Sequence, residues 1–354
     1  MKIHWCLSVV AVAVSARPLP ASPYQVVETE TKVLIRTPEL EAAINKKGYV
    51  TGVARQSFLD KKTGFRDAGF GLDIVDWLME PGSDAAYREQ LVPELRYNLT
   101  PLYHGHRPKR SIEGPQICTR AGTMAPTIVR GPNFVAIKQQ YRYHMAAPGK
   151  KAGSVWTQWI VFPVGQRYFL SMDRIDSVND SDGLFLRIDM PGHIRHRRGD
   201  TFSEVYLSYL SLTNDDGGYH NGRIPPEAFF EDFPPDARFN YRRDRGRMPD
   251  RFIRAYRLRD PKTGRSGPWL AGMTLEPSVV HEAWCHQRGY VCMIEEFGGR
   301  PIRAGQSFSA AFIVGYFDSI EQMHRVYDAH KGYTALEVTS SGWKLTGRHG
   351  PRTK

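Results

Sequence analysis

The sequence predicts an all-β protein, a sandwich or barrel with long loop insertions and one short C-terminal helix. Three observations carry this. Segments of five to ten residues alternate apolar and polar side chains through most of the 354 residues. Clusters of Gly, Pro, Asn and Asp separate those segments. Only one stretch, near the end, has helical spacing.

Taken in order, the chain opens with Lys2, an apolar run over 7–14 and then Val14-Ser15-Ala16. A charged start, a short apolar stretch and small residues form the pattern of a signal peptide, and the run is too short to span a bilayer. Residues 1–21 are expected to be that signal, with cleavage after Ala16 or Ala21, and the mature protein is expected to be secreted or periplasmic; a buried N-terminal strand is the structural alternative. Residues 22–346 then form one β-domain and 347–354 a basic tail.

Lys32–Arg36 and Leu40–Asn45 alternate as strands and are broken at Lys47-Gly48; 49–53 follows, and 58–64 reads as a strand end entering a turn. Strands are expected at 134–144, 156–162, 168–178, 184–190, 202–209, 252–258, 269–275, 290–295 and 308–316. The stretch 281–317 reads as paired strands joined through a Gly298-Gly299-Arg300-Pro301 turn to an alternating strand. In 319–330, Ile320, Met323, Val326 and Tyr327 have helical spacing, with Asp318 or Ser319 as N-cap and Gly332 as stop. Two polar stretches, 81–116 and 213–249, are expected to be long loops, which on a β scaffold commonly carry function.

Net charge is +11, from 48 Lys and Arg against 37 Asp and Glu. It is concentrated in patches at 107–110, 195–198 and 242–247. A basic field attracts a polyanion. In an exported protein that partner is expected to be anionic carbohydrate rather than nucleic acid, and no membrane span is expected. A solvated face is the competing account of any single patch.

Four constellations can carry chemistry. His281, Cys285, His286 and Cys292 lie close together in sequence. Zinc takes Cys and His in fours, although this spacing matches no common zinc signature. A disulfide, Cys285–Cys292 or one involving Cys118, or buried thiols rank ahead of the metal. In the first long loop, Tyr103, His104, His106, Arg107, Lys109 and Arg110 could grip a uronate carboxylate and supply a base. Along 141–144, strand geometry puts Tyr141 and Tyr143 on one face and Arg142 and His144 on the other, a set suited to stacking on a pyranose and holding its oxygens. His193, Arg195, His196, Arg197 and Arg198 follow Pro191-Gly192 and read mainly as a charged, solvated loop.

Two regions resemble the galactose-mutarotase-like proteins. Leu40–Ile44, Gly48-Tyr49-Val50 and 58–64, which ends in Asp60-Lys61-Lys62-Thr63-Gly64, are similar to their first hairpin. Residues 289–296, then Pro301 and 304–308, are similar to the late strands of aldose 1-epimerases. The family's Asn-Arg and paired-histidine signature is not found. The resemblance implies a galactose-mutarotase-like β-supersandwich, with Glu295 in the place of the strand base, Glu296 as the fallback one register away, and His144 as the nearest equivalent of the acid. The expected function is a carbohydrate-active enzyme, lyase- or epimerase-like, acting by acid–base chemistry on an anionic sugar or polysaccharide. His144, Glu295, Tyr143 and His106 would be catalytic, and Arg142, His104, Arg107 and Glu296 would bind substrate. The alternative is a non-catalytic glycan-binding protein of the envelope.

Overall fold

A computed structural model describes residues 22–50, 52–96, 108–210, 218–235, 237–245 and 247–347. The expected signal segment, the histidine pair His104 and His106 with Arg107, and the last seven residues lie outside the described residues.

Two antiparallel sheets dominate. The nine-stranded sheet runs in the order Thr127–Arg130, Phe134–Arg142, Val155–Pro163, Tyr168–Asp176, Ser307–Phe317, Ser266–Thr274, Phe252–Arg259, Phe202–Leu207, Arg223–Ile224. The seven-stranded sheet runs Met145–Ala146, Lys109–Gly114, Ile74–Pro81, Ser181–Asp189, Val291–Ile302, Val280–Gln287, Asn240–Arg242. A smaller N-terminal sheet is built on Gln25–Glu28, Lys32–Arg36 and Leu40–Asn45.

The two-residue period of a strand decides what each face meets. From the seven-stranded sheet, Val75, Leu78, Ile112, Leu186, Ile188, Met293 and Phe297 enter the main core. From the other sheet, Ile137, Ile160, Phe169, Tyr256 and Phe312 meet them there. The far face of the nine-stranded sheet carries Ala136, Leu170, Ile253, Ala271 and Ile313, and it is covered by the helix Ile320–His330 and the hairpin Ala335–Thr339 with Gly342–Thr346. The helix starts where capping predicts, since the Ser319 hydroxyl accepts from the Gln322 amide at 3.2 Å.

The all-β expectation holds, and most expected strands appear within two or three residues of their predicted ends. Three expectations are corrected. Residues 298–301 are not a turn: they continue the strand Val291–Ile302, with Gly298 and Gly299 at positive φ where the register against Ser181–Asp189 slips. The reversal lies at 303–306 instead, where the Gln306 amide bonds the Arg303 carbonyl. The supposed loop 81–116 contains the strand Lys109–Gly114 and a one-turn helix at Ile117–Arg120 follows it. The second supposed loop contributes Asn240–Arg242 to the sheet edge. Among the described residues no helix is long and apolar enough to cross a membrane.

Candidate functional site

The outer face of the seven-stranded sheet, turned away from the core, is buried and charged. Alternation delivers most of these side chains there, and a bulge puts both Asp76 and Trp77 between the core residues Val75 and Leu78. Arg187 and Asp189 flank Ile188, and Cys292, Ile294 and Glu296 alternate with Val291, Met293 and Glu295. A bulge between Val280 and Glu282 resets the next strand so that Glu282 lies directly across from Glu296. Two facing carboxylates repel. Lys109, the first residue of its strand, resolves this by reaching both, with Nζ 2.7 Å from Glu282 and 2.6 Å from Glu296. Arg187, opposite Glu296 on the other neighbouring strand, donates from Nε at 3.0 Å. Trp284 lies beneath both cations, 4.8 Å from Lys109 and 5.1 Å from Arg187.

These charges tune one another. Burial alone would raise the Glu296 carboxyl, but Lys109, Arg187 and His281 outweigh it and hold its pKa at about 2. Burial likewise opposes the Lys109 charge, and Glu296 and Glu282 overcome it, so the ammonium stays above its ordinary value. Glu296 is therefore a fixed anion, an anchor and a poor base.

A second group on the same face behaves differently. Burial pushes the Asp76 and Asp189 carboxyls upward, and Asp76 raises Asp189 further, while Arg187 and Arg288 pull both down. Asp76 Oδ1 accepts from Gln116 Nε2 and lies 3.4 Å from Cys118 Sγ. Asp189 Oδ2 is 3.5 Å from His193 Nε2. Burial and Arg288 hold His193 neutral, with a pKa of about 3. Among the described residues, Asp189 Oδ1 and His193 Nδ1 are buried without a hydrogen-bond partner, an expensive arrangement that points to a ligand or water partner. Burial raises the Cys118 and Cys292 thiols well above their usual range, with help from Asp76 and Asp189 respectively, so neither is a thiolate nucleophile.

Beside Asp76 opens a cavity of about 340 Å³ lined by Trp77, Pro93, Glu94, Arg96, Gln116, Thr119 and Arg120. Gln116 ties this cavity to the carboxyl pair, because its amide bonds Asp76 while its carbonyl accepts from Thr119 Oγ1.

The residues singled out from the sequence fall in several places. Glu296 is on the charged face. Glu295, one residue away, points between the sheets, where Oε2 is 2.6 Å from Arg254 and the Thr274 hydroxyl contacts both oxygens. Burial raises its carboxyl against the pull of Arg254 and Thr274. His144 follows the end of its strand on the surface, with Nδ1 3.1 Å from the Tyr141 hydroxyl. It is therefore not brought to Glu295, and the expected acid–base pair does not assemble. Arg142 bonds the Gly153 carbonyl at 2.8 Å, and Tyr143 is buried against Tyr141. The expected sharing of a face by Arg142 and His144 is corrected, because the strand ends at Arg142 and His144 turns back to Tyr141.

The metal expectation is also corrected. Cys285 points into the core while Cys292 and His286 occupy the outer side, and His281 stacks on Phe185 at 5.2 Å. Among the described residues no three of His, Cys, Asp and Glu gather as a metal site requires. The hairpin disulfide is excluded by the same register, which sets Cys285 across from Met293; Cys118, Cys285 and Cys292 are free and buried.

Asp76, Asp189, Arg187 and Trp77 were not singled out from the sequence. Their signal was a charged residue alternating with strong core residues in Ile74–Pro81 and Ser181–Asp189.

The architecture is that of two large stacked antiparallel sheets with a polar outer face on one of them. Structures similar to it include galactose 1-epimerase from Lactobacillus acidophilus, at 7% identity and TM-score 0.45 over 84% of this chain and 99% of that one. A galactose mutarotase-like protein from Lactobacillus casei matches at 11% identity and TM-score 0.43 over 80% and 99%. These belong to the group that the late strands and first hairpin resemble; at such identities no residue's role transfers. No protein-family description and no curated sequence matches the chain.

Proposed function

We propose that the protein is a carbohydrate-active enzyme that moves protons on an acidic sugar, with Asp76 and Asp189 as its acid–base carboxyls. The observation that carries this reading is that Gln116, which lines a cavity with Trp77, Glu94, Arg96 and Arg120, bonds Asp76, one of two buried carboxyls whose charges raise each other's proton affinity. Two neighbouring carboxyls forced to share charge supply one acid and one base at once. Trp77 provides an apolar wall for a pyranose, and Arg96 and Arg120 match a carboxylate. The cavity lies within the range of roughly 300–1,000 Å³ typical of small-molecule sites.

At an anomeric centre, the ionised carboxyl takes the proton of the anomeric hydroxyl. The electrons of that O–H bond form the carbonyl, the ring C–O bond breaks, and its pair goes to the ring oxygen, which the protonated carboxyl supplies with a proton. Reclosure on the other carbonyl face returns both protons. Lys109, Arg187 and Glu296 hold the field around the pair and do not exchange protons. The N-terminal segment is an export signal in this reading, and the partner sugar is met outside the cytoplasm.

The test is anomer interconversion of freshly dissolved galacturonate followed by NMR, with wild type and Asp76→Asn. Acceleration by wild type and loss of about a hundredfold or more in the variant is the expected result. Equal rates for both, or none above buffer, overturn the reading. A second reading, binding of an acidic glycan without turnover, is favoured by the locked Lys109–Glu282–Glu296 contacts. It predicts saturable affinity with no catalysis.

A further inference from the structure

A second cavity, of about 580 Å³, lies at the end of the sandwich and shares no lining residue with the first. Its floor is Leu184, Ser278, Ile302 and Thr334, all buried, and its rim includes Arg300, Gln306 and Ser307. The ring of Phe308 forms one wall. Gly298 makes that wall possible: its φ is 102°, and a Cβ there would stand 2.8 Å from the Phe308 ring and 2.7 Å from the Leu184 carbonyl. Arg300 is tethered at the mouth through a 3.1 Å bond to the Ser278 carbonyl.

The sheet itself is open here. Pairing of Ser307–Phe317 with Ser266–Thr274 begins only at Phe312 opposite Thr274, and the Leu275 amide to the Ala311 carbonyl is the last rung. Among the described residues, the edge over 307–310 therefore has no strand paired with it on the side of Ser266–Thr274. Ser307, Phe308 and Ser309 of this edge line the cavity, together with Ser278 and Thr334. Among the described residues no Asp or Glu lines it.

We infer that this cavity is a carbohydrate-binding site separate from the proton-transfer site, built for one sugar ring bearing a carboxylate. A pyranose has an apolar face and an equator of hydroxyls. Phe308, Leu184 and Ile302 match the face, and the hydroxyls and open strand edge match the equator. Arg300 at the mouth selects the anion, and the absence of acidic lining leaves nothing to repel it. On a polymeric substrate the site would hold a sugar remote from the reacting one.

Titration calorimetry with galacturonate and galactose tests this, using wild type, Arg300→Ala, Ser307→Trp and Asp76→Asn. Binding of galacturonate that Asp76→Asn retains, that Arg300→Ala weakens about tenfold and that Ser307→Trp abolishes is the expected result. Galactose should bind more weakly than galacturonate in wild type and equally in Arg300→Ala. Ser307 is exposed, so the Trp variant fills the cavity from the rim and its fold is checked by its unchanged melting temperature. No binding in Asp76→Asn, or binding unaffected by both rim variants, overturns the inference. Turnover unchanged in Arg300→Ala accompanies success, so failure here leaves the proton-transfer reading to its own assay.

Discussion

Glu295→Ala is the sharpest probe of how the two adjacent glutamates divide their work. The Glu295 carboxylate and the Arg254 guanidinium are at most 1% exposed and 2.6 Å apart, with the Thr274 hydroxyl 2.9 and 2.8 Å from the two carboxylate oxygens. Truncation leaves the Arg254 cation in the inter-sheet core with the Met293 carbonyl, at 3.1 Å, as its remaining hydrogen-bond partner among the described residues. Removing one partner of such a pair costs about 3–5 kcal/mol. For a chain of this size that corresponds to a fall in Tm of about 4–7 °C. The double variant Arg254→Met with Glu295→Leu removes both charges and fills the space, and it should recover to within about 1 kcal/mol of wild type. Urea unfolding of wild type, Glu295→Leu, Arg254→Met and the double variant closes the cycle. A Glu295→Ala variant that loses less than about 1 kcal/mol, or a double variant as unstable as the single, would refute the assignment of Glu295 to the core. Glu295→Gln should keep its turnover in the sugar assay, whereas a catalytic Glu295 would lose it.

The remaining predictions are shorter. Asp73 and Asp173 are fully buried neighbours between the sheets, and burial raises both carboxyls, Asp73 to about 6. A raised folded-state value means that the native protein binds the proton more tightly than the unfolded chain, so this stability is present at low pH and is lost as pH rises through about 6. Asp173→Asn should therefore raise Tm at about pH 8 and make little difference at about pH 4; equal effects at both would contradict it. Glu296→Gln leaves Lys109 facing Glu282 alone, and a loss of about 2 kcal/mol or more is expected in chemical denaturation. Gly298→Ala should be unstable for two reasons, its left-handed φ and the contact with the Leu184 carbonyl, and it should also abolish galacturonate binding at the rim in whatever fraction folds.

How much of this was legible in the sequence depends on what each strand meets. Lys32–Arg36 and Leu40–Asn45 were read with their true bounds because one face is apolar and the other wet. Ile74–Pro81 and Lys109–Gly114 escaped because their outer faces carry Asp, Glu, Lys and Arg that are nonetheless buried, and flanking prolines and glycines resemble loop punctuation. The Glu295 and Glu296 ambiguity has the same root. Val291 and Met293 alternate with Cys292 and Ile294, and all four are apolar, so composition cannot say which glutamate faces the core. Only the pairing register, set by Val280–Gln287 on one side and by Ser181–Asp189 from far earlier in the chain on the other, settles it. The buried cation and carboxyl groups of the outer face come from five strands, and no local pattern predicts such a gathering.

The order of strands in the nine-stranded sheet has a consequence for how the chain is made. Its middle strand, Ser307–Phe317, joins Tyr168–Asp176 on one side to Ser266–Thr274 on the other. It is synthesised after every other strand of that sheet. Until it emerges from the ribosome, the sheet exists as two halves, each with an exposed edge and an uncovered apolar face, and those are templates for wrong partners. Folding therefore cannot finish domain-piece by domain-piece behind the ribosome. It waits until the chain has been made through Phe317.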